Sequence, residues 1–277
     1  EKMFDLVIRN GTVIDGTGNP GRVADVAVSE GRIVAVGEVT EPGESEIDAA
    51  GLIVAPGFVD VHTHFDAQVF WDTTLSPSPL HGVTTVISGN CGFTIAPLEA
   101  EHGEYMMEML ARVEGMPLTS LQEGVPWNWR TFGEYLDAID GTLMPNAGFL
   151  VGHSALRRTV MGERSVGEFA SEDELQSMKE LLAESISAGG LGFSSSWAKT
   201  HNDADGEAVP SRHASENELI ELCSVLRDSD AVALEFIPTI ERFDNEVYQL
   251  LTDMSVAADK PLNWNVIFVN ARQADLI

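Results

Sequence analysis

Two histidines two residues apart, His62 and His64, have the types and the spacing to do chemistry. They end an apolar run that follows the turn signal Pro56-Gly57. If residues 58–64 form a strand, alternate side chains share a face, so the two imidazoles lie side by side. Imidazole is a common ligand of zinc and similar ions. A lone strand histidine is more often a hydrogen-bonded packing residue, but the paired spacing favours a metal site.

The segments around this pair predict two kinds of structure. Residues 1–55 show short strands and tight turns, including a hairpin around Glu30-Gly31, which indicates a small β-sandwich-like module. From residue 56 strands and helices alternate, and capping boxes at Ser171–Glu174 and Ser215–Glu218 each predict the start of a helix. The predicted strands of this second region cover residues 58–64, 83–88, 147–151, 190–196, 231–236 and 262–269.

Strands separated by helices indicate a parallel α/β architecture. Polar residues follow the predicted strand ends, which is where a (β/α)8 barrel carries its chemistry. Six strands are fewer than the eight of the usual closed barrel, so the first and the sixth would have unpaired edges.

Composition limits the partners. The 277 residues include 44 acidic and 16 basic side chains, for a net charge of −28, which argues against nucleic acid and anionic membranes as partners. No apolar run has the length of a membrane span. The two cysteines, Cys91 and Cys223, do not form a disulfide framework, and we expect a cytoplasmic protein.

Several stretches together carry a more specific signal: residues 56–64, 82–86, 89–93, 96–97 and 151–157. They resemble the amidohydrolase superfamily, in its N-acyl-D-amino-acid deacylase (D-aminoacylase) branch. The combination of His-x-His with Gly-Asn-Cys-Gly is the specific part. The resemblance implies a metal-dependent hydrolase with a TIM-like (β/α)8 barrel, of which residues 56–277 carry about six strands.

The resemblance assigns metal binding to His62, His64 and Cys91, with a divalent cation expected as Zn²⁺, one ion or two. A thiolate is a strong zinc ligand, and the glycines around Cys91 let the backbone approach closely. The alternative for Cys91 is a small buried hydrophobe. Cys223 lies on the apolar stripe of a predicted helix and is interpreted as structural.

The sequence departs from the family pattern in two ways, in the residues of the fifth and sixth strands and in the missing aspartate of the eighth. The fifth and sixth strands offer Glu235, Asn263 and Asn265 where the family has histidines, so we expect one ion, or a site completed by Glu235. Lys199 resembles the bridging lysine of other amidohydrolases, in a loosely matching position. The aspartate that serves as general base on strand eight in the family has no counterpart in these 277 residues. We therefore expect one half of a nicked or split protein, whose companion polypeptide supplies the aspartate, or a truncated chain.

The substrate side of the site is less specific. His153 and Arg157 are candidates to bind a substrate carboxylate, because an arginine offers a two-pronged donor; a structural role is the alternative. His201 and His213 lie in a long polar loop after the fourth strand, of the kind that contacts substrate or is merely solvated.

Our first hypothesis is hydrolysis of the amide bond of an N-acyl amino acid or a related small molecule. A second is a non-catalytic binding or regulatory protein on the same scaffold. A third is hydrolysis of a cyclic amide or lactone.

Overall fold

The computed structural model describes residues 3–230 and 232–265. Two units are distinguished, Glu1–Phe58 and Val59–Ile277.

The first unit is built of five strands: β1 (Phe4–Val13), β2 (Arg22–Ser29), β3 (Arg32–Gly37), β4 (Gly43–Asp48) and β5 (Ile53–Val54). The order is β3-β2-β1-β4, with β5 also paired to β1. The β2–β3 pairing confirms the predicted hairpin. Within residues 3–58 the strands form one hydrogen-bonded sheet.

The strands of the second unit are short: β6 (Phe58–Asp60), β7 (Val83–Ser88), β8 (Asn146–Phe149), β9 (Val151–Gly152), β10 (Gly192–Ser196), β11 (Ala233–Ile237) and β12 (Leu262–Trp264). Its helices are α1 (Gly103–Val113), α2 (Leu118–Gly124), α3 (Phe132–Ile139), α4 (His153–Met161), α5 (Glu172–Ser187), α6 (Glu216–Ser224) and α7 (Asn245–Ala258). None of the helices in the described part of the chain combines the length and apolarity needed to cross a membrane.

These strands form one row in chain order. The pairings run β6-β7-β8 and β9-β10-β11-β12. Strands β8 and β9 are two halves of one barrel strand, separated by Leu150, whose N–H donates to the Ser88 carbonyl. Pairings β7–β8, β9–β10, β10–β11 and β11–β12 are parallel. Six consecutive barrel strands are therefore present, as predicted.

The first barrel strand is shorter than expected. It ends at Asp60 rather than at His64, although the Thr63 N–H still donates to the Ile87 carbonyl at 2.9 Å. Among the described residues β6 pairs with β7 alone, so it has ladder hydrogen bonds on one side only. Residue 231 of the fifth predicted strand and residues 266–269 of the sixth lie outside the described residues.

Only one of the two predicted capping boxes is complete. Ser171 accepts from the Glu174 N–H while the Glu174 carboxylate accepts from the Ser171 N–H, so α5 is capped reciprocally. Ser215 accepts from the Glu218 N–H, but the Glu218 carboxylate does not return to Ser215. It points inward to the buried side chains of His153 and Arg157, so it bonds within the core instead of capping the helix.

Candidate metal centre

The structure brings His62, His64 and Cys91 together. Cys91 Sγ lies 3.3 Å from His62 Nε2 and 3.6 Å from His64 Nε2, and the three ligand atoms lie within 4.8 Å of one another. Bond lengths of about 2.0–2.1 Å for Zn–N and 2.3 Å for Zn–S put neighbouring ligands of a tetrahedral zinc ion roughly 3.3–3.6 Å apart. The spacing of these three atoms therefore suits one ion, even though the histidines lie beyond the end of β6.

Cys91 sits in a tight turn after β7. The residues Asn90–Gly92 form one turn of 3₁₀ helix, and Cys91 itself has φ 60°. A non-glycine residue in this left-handed region costs on the order of 1–3 kcal/mol, so the surroundings must hold it there. Gly89, at φ 79°, has no room for a side chain, since a Cβ would collide with the Leu150 carbonyl. The backbone is thus bent to bring the thiol to the two histidines.

Two neighbouring strands hold this turn in place. The Cys91 N–H donates to Glu235 Oε2 at 2.9 Å, and the Gly92 N–H donates to Ser194 Oγ at 3.0 Å. The Ser194 hydroxyl in turn donates to the Gly89 carbonyl. Ser194 on β10 and Glu235 on β11 are paired in register, so two adjacent strands hydrogen-bond to the same turn. No motif in the sequence pointed to Ser194.

Burial keeps the imidazoles of the centre neutral. It lowers the pKa of His64 to about 3, with smaller effects from His62 and His201, and it also lowers the pKa of His62. A neutral imidazole has a free nitrogen lone pair, which is the form that binds a metal ion. The Nε2 atoms of both rings face Cys91. His64 Nδ1 is buried and has no hydrogen-bond partner among the described residues.

Three poorly solvated carboxylates surround the cluster. Burial raises the pKa of Asp66, Glu114 and Glu235 to about 7 in each case. Burial also raises the pKa of the Cys91 thiol, and these same carboxylates add to the effect. Such a concentration of buried acidic groups is costly unless positive charge compensates it. Neutral imidazoles, a thiol and acidic surroundings together fit a divalent cation.

Sequence reasoning missed Asp66 and Glu114. Asp66 Oδ2 accepts from the Gly89 N–H at 3.1 Å, and Glu114 Oε2 lies 3.6 Å from His64 Nε2. Asp66 continues the two-residue spacing of His62 and His64, which was an available signal. Glu114 follows α1 and carries no motif, so only the folded chain shows it near the site.

Of the candidates in the loop after β10, one lies beside the cluster. His201 packs against Phe93 with ring centroids 5.0 Å apart, and its Nδ1 lies 2.8 Å from Ser196 Oγ. Burial lowers its pKa to about 4, with further effects from Arg212 and His62. His213 is directed elsewhere, since its Nε2–H donates to the Ala208 carbonyl at 3.1 Å.

The interpretation of Lys199 as a bridging ligand is not supported by its position. Its side chain is 70% exposed, and its Nζ lies 3.4 Å from Glu241 at the surface. A bridging lysine must reach a buried centre, whereas this one projects from an exposed part of the loop. Glu235 is close to Cys91 but is engaged twice, by the Cys91 N–H and by Asn265 Nδ2 at 2.7 Å.

His153 and Arg157 form a buried network with Glu218. Both side chains are fully buried, and the Arg157 guanidinium lies 2.6 Å from Glu218 Oε1. Its other terminal nitrogen donates to the Ser165 and Glu168 carbonyls. The guanidinium that was predicted to bind a substrate carboxylate is therefore hydrogen-bonded within the protein. His153 Nε2 lies 2.8 Å from Glu218, and Nδ1 lies 2.8 Å from Ser195 Oγ.

The tautomer of His153 follows from these partners. Burial lowers its pKa despite the opposing effect of Glu218, so the ring is neutral at neutral pH. A carboxylate only accepts hydrogen bonds, so Nε2 must carry the proton and Nδ1 must accept from the Ser195 hydroxyl. Burial acts to raise the pKa of Glu218, but the hydrogen bond from His153 and the charge of Arg157 hold it below its usual value.

Comparison with known proteins shows that the chain is similar to amidohydrolases. The sequence profile of the amidohydrolase family matches residues 45–274. The chain is 36% identical over 225 residues to a D-aminoacylase of Alcaligenes xylosoxydans xylosoxydans, which covers 80% of this chain and 42% of that protein.

Solved structures confirm the predicted barrel class. A D-aminoacylase studied for the functional role of its binuclear metal centre superposes with a TM-score of 0.74 at 32% identity, covering 98% of this chain and 54% of that one. The N-acyl-D-glutamate deacylase of Bordetella bronchiseptica, solved with zinc and a phosphonate mimic of the tetrahedral intermediate, gives 0.73 at 29% identity, with 94% and 51% coverage. The chain thus spans about half the length of these relatives.

Proposed function

The chain belongs to the amidohydrolase family, and we propose that the protein is a metal-dependent hydrolase that cleaves the amide C–N bond of an N-acyl amino acid or a related small amide. The observation that carries the proposal is the convergence of His62, His64 and Cys91, whose ligand atoms lie within 4.8 Å of one another. The D-aminoacylase and the deacylases among the relatives support this substrate class.

The residues of this chain have separate tasks in that reaction. His62, His64 and Cys91 bind the cation, which we propose to be Zn²⁺. Such a cation polarises a substrate carbonyl and lowers the pKa of a bound water to about 7. Glu235 and Ser194 hold the strained turn that presents Cys91. We propose that His201, which lies beside the cluster, contacts the substrate.

The general base is proposed to lie on further strands outside these residues. Within the described part of the chain, β6 and β12 each end the row of strands with one edge unpaired. Phe58, Val59 and Val61 are 64%, 57% and 56% exposed near the β6 edge. Apolar side chains beside an open edge favour pairing with more strands. We propose that a companion polypeptide supplies these strands together with the base.

The test is turnover combined with metal analysis on the intact protein, with any polypeptide that co-purifies. We expect bound zinc and hydrolysis of N-acyl amino acids, and both should be lost in His62→Ala and His64→Ala. His81→Ala is the matched control, because His81 is exposed and lies in the 3₁₀ turn Ser78–His81, outside the ligand cluster.

Other outcomes separate the rival hypotheses. Ligand binding without turnover in the zinc-loaded protein would favour a binding or regulatory role. Turnover of hydantoin-like rings or lactones, with N-acyl amino acids inert, would favour the cyclic substrates. Full activity in a metal-free protein would contradict the proposal.

A further inference from the structure

Glu114 occupies a position that helix stability does not explain. It directly follows α1 in a helical conformation, with φ −99°, and its N–H donates to the Leu110 carbonyl at 2.9 Å. A negative charge at the C-terminal end of a helix is disfavoured, by about 0.3–1 kcal/mol, because the carbonyl dipoles point there. The side chain is also only 17% exposed, so water stabilises the carboxylate poorly.

The carboxylate has no lysine or arginine beside it. Among residues 3–230 and 232–265, no lysine or arginine nitrogen lies within 4.0 Å of it, and the basic nitrogen within that distance is Nε2 of His64. Glu218, another poorly exposed glutamate, shows the contrast, because the guanidinium of Arg157 neutralises it. A buried carboxylate is normally paired or bound to a metal ion.

We propose that Glu114 supplies a carboxylate donor to the cation that His62, His64 and Cys91 bind. The inference rests on the proposed function, since it adds a residue to that centre. Glu114 Oε2 lies 3.6 Å from His64 Nε2, as Cys91 Sγ does. Both separations match those of neighbouring ligands on one ion, roughly 3.3–3.6 Å.

Charge supports the same assignment. Two neutral imidazoles and a thiolate together carry one negative charge, so one carboxylate donor brings the charge of the ligand set to that needed by a divalent cation. Glu114 Oε2 does not share the mutual 4.8 Å spacing of the other three ligand atoms, so we place this donor at the His64 side of the centre. The assignment also explains why a carboxylate lies at an unfavourable helix end.

The experiment measures metal affinity rather than turnover. The intact protein is stripped with a chelator and titrated with Co²⁺ and Zn²⁺, and the visible absorption of Co²⁺ reports its ligands. Glu114→Gln should weaken metal affinity by at least about 10-fold, because losing a group that only orients the ligands already costs about 10- to 100-fold, and it should alter the Co²⁺ spectrum. Glu114→Asp keeps the charge on a shorter side chain, so its metal affinity should lie between those of Glu114→Gln and the unaltered protein.

Glu108→Gln is the matched control. Glu108 lies on the same helix and is exposed, so its substitution changes the net charge equally without touching the centre. The metal affinity of Glu108→Gln should equal that of the unaltered protein. Circular dichroism and the melting temperature show whether Glu114→Gln folds. If it misfolds, the metal affinity and Co²⁺ spectrum of Glu114→Asp test the assignment instead.

The outcomes separate the two proposals. If the unaltered protein binds neither Co²⁺ nor Zn²⁺, the metal centre and the proposed function fail together. If it binds both, and the folded Glu114 variants match Glu108→Gln in affinity and spectrum, the assignment of Glu114 alone is overturned.

Discussion

The Glu235 carboxylate accepts a hydrogen bond from the main-chain N–H of Cys91, at 2.9 Å, across 144 positions of the chain. The bond ties the fifth barrel strand to the strained turn that follows the second. Because the other oxygen of Glu235 accepts from Asn265, both are engaged. The geometry therefore supports a role for Glu235 in positioning Cys91 over a role as metal ligand.

We expect Glu235→Ala to weaken Zn²⁺ affinity by about 10- to 100-fold, because the turn loses the acceptor that holds the Cys91 N–H. Glu235→Gln keeps an acceptor oxygen and should retain most of the affinity. The measurement is chelator competition, with the near-ultraviolet thiolate-to-Co²⁺ charge-transfer band as a second readout.

Glu241→Ala controls for the change in charge, since Glu241 is 65% exposed and lies beside Lys199. Equal losses in Glu235→Ala and Glu235→Gln would argue for ligation by the carboxylate. Unchanged affinity in Glu235→Ala would contradict both roles.

Local motifs and contacts distant in sequence differ in how far they could be predicted. The two-residue spacing of His62 and His64 is local, so the sequence alone indicated that these two side chains meet. The family resemblance was needed to add Cys91 to them. Glu218 illustrates the limit. Its sequence matches a capping box, yet its carboxylate bonds to Arg157, 61 positions away, because burying a guanidinium requires a partner.

The barrel class and the order of the six barrel strands among the described residues were also predictable, because alternating strands and helices set the order of the elements. Strand ends were not, since the extent of β6 depends on which neighbours pair with it. Lys199 shows the risk of assigning a role by loose position in a loop. Nothing local in the sequence revealed that its side chain is exposed.

The two cysteines should behave oppositely. Cys91→Ala removes a proposed ligand and should abolish tight metal binding, with loss of the thiolate-to-Co²⁺ band. Cys223 is fully buried on α6, so Cys223→Ala should keep the metal and lose about 1 kcal/mol of unfolding free energy, a typical value for point substitutions. Metal titration and denaturant unfolding measure the two effects. Undiminished metal binding by Cys91→Ala would remove the thiol from the centre.

The Glu218 network should contribute to stability. Glu218→Ala leaves the fully buried Arg157 guanidinium without its carboxylate and should lower the unfolding free energy by about 3–5 kcal/mol. Glu216→Ala, at an exposed position in the first turn of the same helix, should change it by no more than about 0.5 kcal/mol. Urea unfolding compares them, and similar stabilities for the two variants would contradict this role.

His153 should remain neutral where an ordinary histidine is protonated. Its pKa lies below 6.5, chiefly because of burial, so just below pH 6.5 the unfolded chain takes up a proton that the folded chain does not. Its contribution to stability therefore falls as the pH drops below about 6.5. Nitrogen-15 NMR at pH 6.5 should show a proton on Nε2 and none on Nδ1. A ring that titrates at or above 6.5 would contradict the assignment.

The last prediction concerns the open edges of β6 and β12. Within the described residues each strand has a neighbour on one side only, and Val59, Val61 and Trp264 are 57%, 56% and 42% exposed. Each unsatisfied polar group that becomes buried costs about 1–3 kcal/mol, against a total stability of about 5–15 kcal/mol. We therefore expect these edges to be paired in the active protein by strands of a companion polypeptide.

Denaturing electrophoresis and intact-mass measurement on an active preparation test this expectation. A second polypeptide, or a further part of a longer chain, should provide these strands, and its removal should expose apolar surface that binds a hydrophobic dye. Exchange of strands between copies would cover the edges but would not supply the general base, so a dimer of this chain alone should bind metal without turnover. A single 29.9 kDa species that is monomeric by light scattering and fully active would refute the prediction.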